Sequence, residues 1–167
     1  MGLALHIGTL LMVLPLLLIA CRQDEALSGP EPPQPPYILL SVDTACVMAP
    51  NIFTPDGDGI NDHFVVVTKN IVELSVTVRN AGGEEVIAFN DLYPQWDGAG
   101  HLPNEVFTVS VEALSASGVT LSGTAPLTIL AYGSDSCLVH AGPSITSDQF
   151  DPRVCGPVYD TQEVFCN

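Results

Sequence analysis

The sequence predicts an all-β fold, an antiparallel β-sandwich of short strands with a disulfide-bonded C-terminal tail. Three observations carry this. Apolar and polar residues alternate along several segments, the period of strands with one buried and one wet face. Gly and Pro number 14 each in 167 residues, a content that suits many turns and few helices. Of five cysteines, four follow a segment that reads as an export signal, and exported chains form disulfides.

The elements follow in chain order. Residues 1–20 contain no Asp, Glu, Lys or Arg, and 10–20 is almost wholly apolar. That run is too short to span a bilayer, which takes about 20 residues, and it fits the core of a secretory signal. It ends in Leu18-Ile19-Ala20-Cys21, which resembles a bacterial lipobox: an aliphatic residue, a small one for the peptidase, then the cysteine that takes lipid. The expectation is a lipoprotein signal peptide at 1–20, lipidation of Cys21 and an anchor in the outer membrane, with the protein periplasmic or at the cell surface. Residues 21–36 read as the lipidated Cys and a Pro-rich linker, with five prolines between Pro30 and Pro36. Such a run favours extended polyproline II, about 3 Å per residue.

From Tyr37 to position 133 the period is two. Val72, Leu74, Val76 and Val78 alternate with polar residues, and Phe107, Val109, Val111 and Ala113 repeat the pattern. Further strands are expected at 37–42, 63–68, 85–89 and 119–132, the last interrupted at 123–126. Gly82-Gly83 and Gly98 to Gly100 mark turns. The remaining 134–167 is a cysteine-containing tail. With Cys21 assigned to lipid, Cys46, Cys137, Cys155 and Cys166 make two disulfides, and three pairings are open. The preferred one is Cys46–Cys137 with Cys155–Cys166, tying the entry of the sandwich to its exit and closing a short loop in the tail. Zinc is disfavoured because no C-x-x-C knuckle is present.

The most informative stretch is Pro50-Asn51-Ile52-Phe53-Thr54-Pro55-Asp56-Gly57-Asp58-Gly59-Ile60-Asn61-Asp62-His63-Phe64. It resembles the opening signature of the gliding-motility-associated C-terminal domain, the type B sorting domain of type IX secretion, which reads P-N-x-F-[ST]-P-[ND]-G-D-G-x-N-D-x-F. Val78-Arg79-Asn80-Ala81-Gly82-Gly83-Glu84-Glu85-Val86 is similar to the hairpin of that family, with Ala81 in place of its Trp. Trp96-Asp97-Gly98 matches its W-D-G motif, and 102–109 stands where the family has a Pro-Gly-aromatic entry to a strand. The resemblance spans about 46–132. It implies an immunoglobulin-like fold serving as an export signal or attachment module. Trp96, the only Trp, is expected to pack in the core beside a turn.

Candidate sites follow from residue type. Asp56, Asp58, the Ile60 carbonyl and Asp62 present oxygens at the two-residue spacing of a calcium loop, although the bidentate Glu of an EF-hand is missing. The same residues also build a metal-free turn through side-chain-to-backbone bonds. Calcium is the one cofactor considered, with a structural role. Asp43-Thr44-Ala45 resembles a short O-glycan acceptor and makes Thr44 a candidate for glycosylation. His63, His101 and His140 are isolated, and no nucleophile elbow, zinc-protease motif or phosphate loop occurs, so no catalytic residue is assigned and the protein is expected not to be an enzyme. Asp and Glu outnumber Lys and Arg 19 to 4, a formal charge of −15, which excludes binding along a nucleic-acid backbone.

The expected function is a non-enzymatic envelope or cell-surface lipoprotein presenting an immunoglobulin-like interaction module. Its expected partners are the membrane, through the lipid, and another envelope or surface protein. The alternative is a substrate or accessory of type IX secretion and gliding motility, recognised through the sorting-type domain itself.

Overall fold

The computed structural model describes residues 35–133 and 136–166. The predicted signal, Cys21 and most of the linker lie outside the described residues. Among the described residues, twelve strands and one 3-10 turn (Ser147–Gln149) occur in the order β1 Ile38–Val42, β2 Ala45–Ala49, β3 Ile52–Phe53, β4 Phe64–Val65, β5 Val67–Lys69, β6 Ile71–Arg79, β7 Glu85–Phe89, β8 Gln95–Trp96, β9 Val106–Ser115, β10 Thr120–Ile129, β11 Phe150–Asp151 and β12 Gly156–Pro157. The protein is all-β, as the alternation predicts. A three-stranded sheet, β1-β2-β5, faces a five-stranded one, β3-β10-β9-β6-β7. Every pairing within them is antiparallel except β3 with β10.

The core lies between these sheets. Leu74, Val76 and Val78 of β6 and Phe107, Val109, Val111 and Ala113 of β9 meet Val47 and Ala49 of β2, with Phe53, Phe64 and Trp96 filling one end. Burying such side chains contributes about 1.5–3 kcal/mol each. The expected inward position of Val72 is corrected. A register shift between Ile71 and Glu73 turns Ile71 inward and leaves Val72 half exposed, as one extra residue in a strand reverses the faces before it.

Three other expectations change in detail. Positions 63–68 are two strands, β4 pairing with β8 and β5 with β2. Conversely, 119–132 holds one strand without interruption, because Pro126 lies opposite Thr108 of β9 where β10 has no second neighbour. The parallel pairing with β3 is confined to Thr128 and Ile129, and an edge tolerates proline. Strand β2 is the element that alternation could not find. All five of its residues are buried, since one face meets the core and the other, Cys46 and Met48, meets Ile145 and Phe150 of the tail.

The tail doubles back rather than trailing away, and this overturns the preferred disulfide pairing. The observed bonds are Cys46–Cys155 and Cys137–Cys166, with Cα separations of 5.8 and 5.1 Å. The strand pair β11-β12 runs beside β2, bringing Cys155 to Cys46, while a parallel bridge between Leu138 and Phe165 sets Cys137 beside Cys166. All four cysteines are paired, as the even count predicts.

Candidate functional site

The signature segment leaves β3 at Phe53 and returns at β4. Its spacing has a backbone cause. Gly57, Gly59 and Asn61 all have positive φ, at 85°, 92° and 47°, the left-handed region that glycine enters freely and asparagine more readily than other residues. Between them the acidic side chains close turns. Asp56 accepts from the Asp58 N–H at 3.1 Å and Asp58 from the Ile60 N–H at 2.7 Å. Asp62 reaches back to accept from Gly57 at 2.6 Å and Gly59 at 2.8 Å. These two N–H donors hold its carboxyl below the ordinary aspartate value of 3.8.

The carboxylates of Asp56, Asp58 and Asp62 have oxygens within 4.8 Å of one another. Three of the four predicted calcium ligands are therefore gathered on the exposed side of the loop, and their all-oxygen chemistry suits a hard cation. The Ile60 carbonyl lies 3.3 Å from the buried Thr54 hydroxyl oxygen. Asp97 lies in the β8–β9 connection, where it accepts from the Ala99 N–H at 3.0 Å.

The inner side of the same loop is held by the tail. Asn61 uses every hydrogen-bonding position it has: its amide donates to Asp148 and Glu163, both at 3.2 Å, and its carbonyl accepts from the Ser147 hydroxyl at 3.0 Å and the Asp148 N–H at 3.3 Å. Glu163, only 6% exposed, also accepts from the Thr54 hydroxyl and from Tyr132 at 2.7 Å. Burial, and then that bond to Glu163, raise the Tyr132 phenol above 10.0. At the start of the signature, buried Asn51 donates to the Pro143 carbonyl at 3.0 Å and accepts from the Ile145 N–H at 2.8 Å.

Thus the polar signature residues Asn51, Thr54 and Asn61 are fasteners for the tail. The sequence reading missed Asp148 and Glu163, because two more carboxylates in so acidic a chain carry no local mark. The available signal was on the other side: Asn and Thr set among apolar residues must find partners when buried.

The remaining predicted positions are separate. Trp96 is buried against Phe53 and Phe107, with ring centroids at 5.5 and 5.2 Å, as expected. Gly98 passes so close that an added Cβ would lie 2.9 Å from Phe53, which accounts for the glycine of Trp96-Asp97-Gly98. Thr44 sits exposed at the β1–β2 hairpin, where its hydroxyl accepts from Asn70 at 3.0 Å. His101 pairs with Glu105 at 2.7 Å, and burial lowers the His140 pKa.

The signature, the Gly82-Gly83 hairpin and the Trp96 turn now stand on one sandwich. Residues 47–116 match the CHU_C type IX secretion signal domain family. The matched span runs from β2 to the end of β9 and includes the whole signature loop. The similarity is thus between this stretch of the chain and a type IX secretion signal domain. No curated protein matches. Among solved structures, the crystal structure of CopC from Methylosinus trichosporium OB3b is similar over 57% of this chain and 96% of that one, at 13% identity and a TM-score of 0.39.

Proposed function

We propose that this protein is a lipid-anchored, non-enzymatic module of the bacterial envelope that presents its immunoglobulin-like domain to another envelope or surface protein. The observation that carries this reading is the tail on the signature. A type IX secretion signal domain has its loop fastened by Asp148 and Glu163 of the following segment and tied by the Cys46–Cys155 bond. Domain and tail belong to one compact unit, Gln34–Asn167, suited to presentation on the linker and lipid read from 1–36.

The second reading, an accessory or substrate of type IX secretion, is favoured by the family match itself. Deleting residues 37–167 while keeping the signal, Cys21 and linker separates the two. The module reading expects export of other type IX substrates to continue and attachment to one partner to be lost. General loss of export would overturn it in favour of the accessory role.

Calcium enters the same reading as a structural ion held by Asp56, Asp58 and Asp62, fixing the exposed side of a loop whose inner side the tail fixes. Thermal unfolding with millimolar calcium or chelator tests this. The midpoint should rise with calcium and lose that rise in Asp58→Ala; an equal midpoint in both conditions removes the ion from the account.

A further inference from the structure

Strand β6 has nine residues, Ile71–Arg79, but β7 pairs only with its second half, from Val76↔Phe89 to Arg79↔Glu85. Among the described residues no backbone hydrogen bond joins Val72–Ser75 to the chain on that side. The chain leaves β7 at Asn90 and diverges. A cavity of about 570 Å³ opens there, walled by Val72–Ser75 of β6, the Asn90-Asp91-Leu92 segment, and Glu112 and Leu114 of β9. Unpaired strand groups beside open space are the template onto which an extended segment adds.

Among the described residues, two other edges also lack a hydrogen-bonded neighbour, the outer side of β7 and that of β10 before Thr128, and what sets the β6 half apart is the acidic cavity beside it. Leu40 of β1 packs on Gly123 of β10, 3.1 Å from the position a Cβ would take. The three-residue β5 is crossed by the tail, with Lys69 donating to the Arg153 carbonyl at 3.2 Å. The free half of β6 carries no lysine or proline, and the device it does carry is the register shift at Val72, which bends an edge without covering it.

The lining states what would bind. Glu73 and Glu112 lie on neighbouring strands, diagonal across the pairs Glu73↔Leu114 and Ser75↔Glu112, and Asp91, which accepts from the Tyr93 N–H at 2.8 Å, also lines the cavity. Among the described residues no Lys, Arg or His lines it. Val72, half exposed, and the partly buried Leu92 and Leu114 add apolar surface for an aliphatic stem. The geometry points to a docking edge: Val72–Ser75 of β6 takes an extended segment of a partner protein whose Lys or Arg side chain enters the cavity toward Glu73, Asp91 and Glu112. A second copy of this chain is a poor occupant. At −15, with 4 basic residues in all, it would set acid against acid. The inference deepens the interaction-module reading and rests on it.

The test uses the full chain and two acetylated, amidated peptides of alternating pattern, one Lys-Val and one Glu-Val, read by amide hydrogen exchange. The Lys-Val peptide should slow exchange within Val72–Ser75 by about tenfold or more at saturation, and the Glu-Val peptide should not. Glu73→Gln with Glu112→Gln, both exposed and so compatible with folding, should weaken the Lys-Val peptide by about 5- to 10-fold, the scale of two exposed charge pairs. The edge is overturned if neither peptide protects Val72–Ser75, if both protect it equally, or if the protein dimerises and protects these amides with no peptide. Protection confined to another strand also overturns it while leaving an interaction module standing, and the deletion experiment judges that module independently.

Discussion

Asn61 holds the signature loop to the tail, and removing its side chain should cost far more than a turn residue usually does. Its amide makes four bonds. Net contributions of such bonds run about 0.5–1.5 kcal/mol each, more where a partner is charged and buried. Ser147 and Asp148 are half-buried and can turn to water, so their bonds count at the low end. Glu163 is buried and cannot. The four together are worth about 2–3 kcal/mol. Asn61 also sits at φ 47°, where alanine adds about 1 kcal/mol of backbone strain. Asn61→Ala should therefore lose about 3–4 kcal/mol, and Asn61→Gly, free of that strain, about 2–3. Urea unfolding of the full chain, followed by fluorescence of the single buried Trp96, measures both. Amide exchange at 145–149 should accelerate in both variants. A loss under about 0.5 kcal/mol in Asn61→Gly, the scale of an ordinary surface change, would refute the fastening argument.

Three further outcomes follow from the same geometry. Peptide mapping of unreduced protein should return Cys46–Cys155 and Cys137–Cys166, and replacing the first pair by alanine should cost about 2–5 kcal/mol because it closes the longer loop; a Cys46–Cys137 peptide would contradict the fold of the tail. Gly98→Ala should cost about 2–4 kcal/mol, combining a left-handed alanine with overpacking against Phe53, and chemical denaturation reads it directly. Asp62 should loosen the loop in acid. Its folded pKa lies below the ordinary 3.8, so its contribution is present above that value and lost as pH falls through the lower folded one; Gly57 and Gly59 amide shifts should titrate there, and flat shifts down to about pH 2 would remove the role.

Much of the sandwich is legible in the sequence because β6 and β9 each have one wet face. Phe107 to Ala113 could be placed inward from alternation alone. Strand β2 could not, since the tail covers its second face and erases the period. Val72 misled for a different reason: a register shift is invisible in a hydrophobic pattern that continues unbroken through it. At the candidate site the turn-building Asp and Gly residues announced themselves by spacing. Their tail partners lie 87 and 102 positions from Asn61, and no local pattern encodes that closure. The cysteine count fixed the number of bridges but not the pairing, which depends on the same return of the tail.

The central claim, a lipid-held module displayed from the envelope, is tested most directly by palmitate labelling combined with protease shaving of whole cells. The wild-type chain should carry label, sediment with membranes and lose its domain to protease if surface-displayed or after outer-membrane permeabilisation if periplasmic, while Cys21→Ser should carry no label and leave the membrane fraction. A Cys21→Ser protein that sediments with membranes as the wild type does would contradict the account.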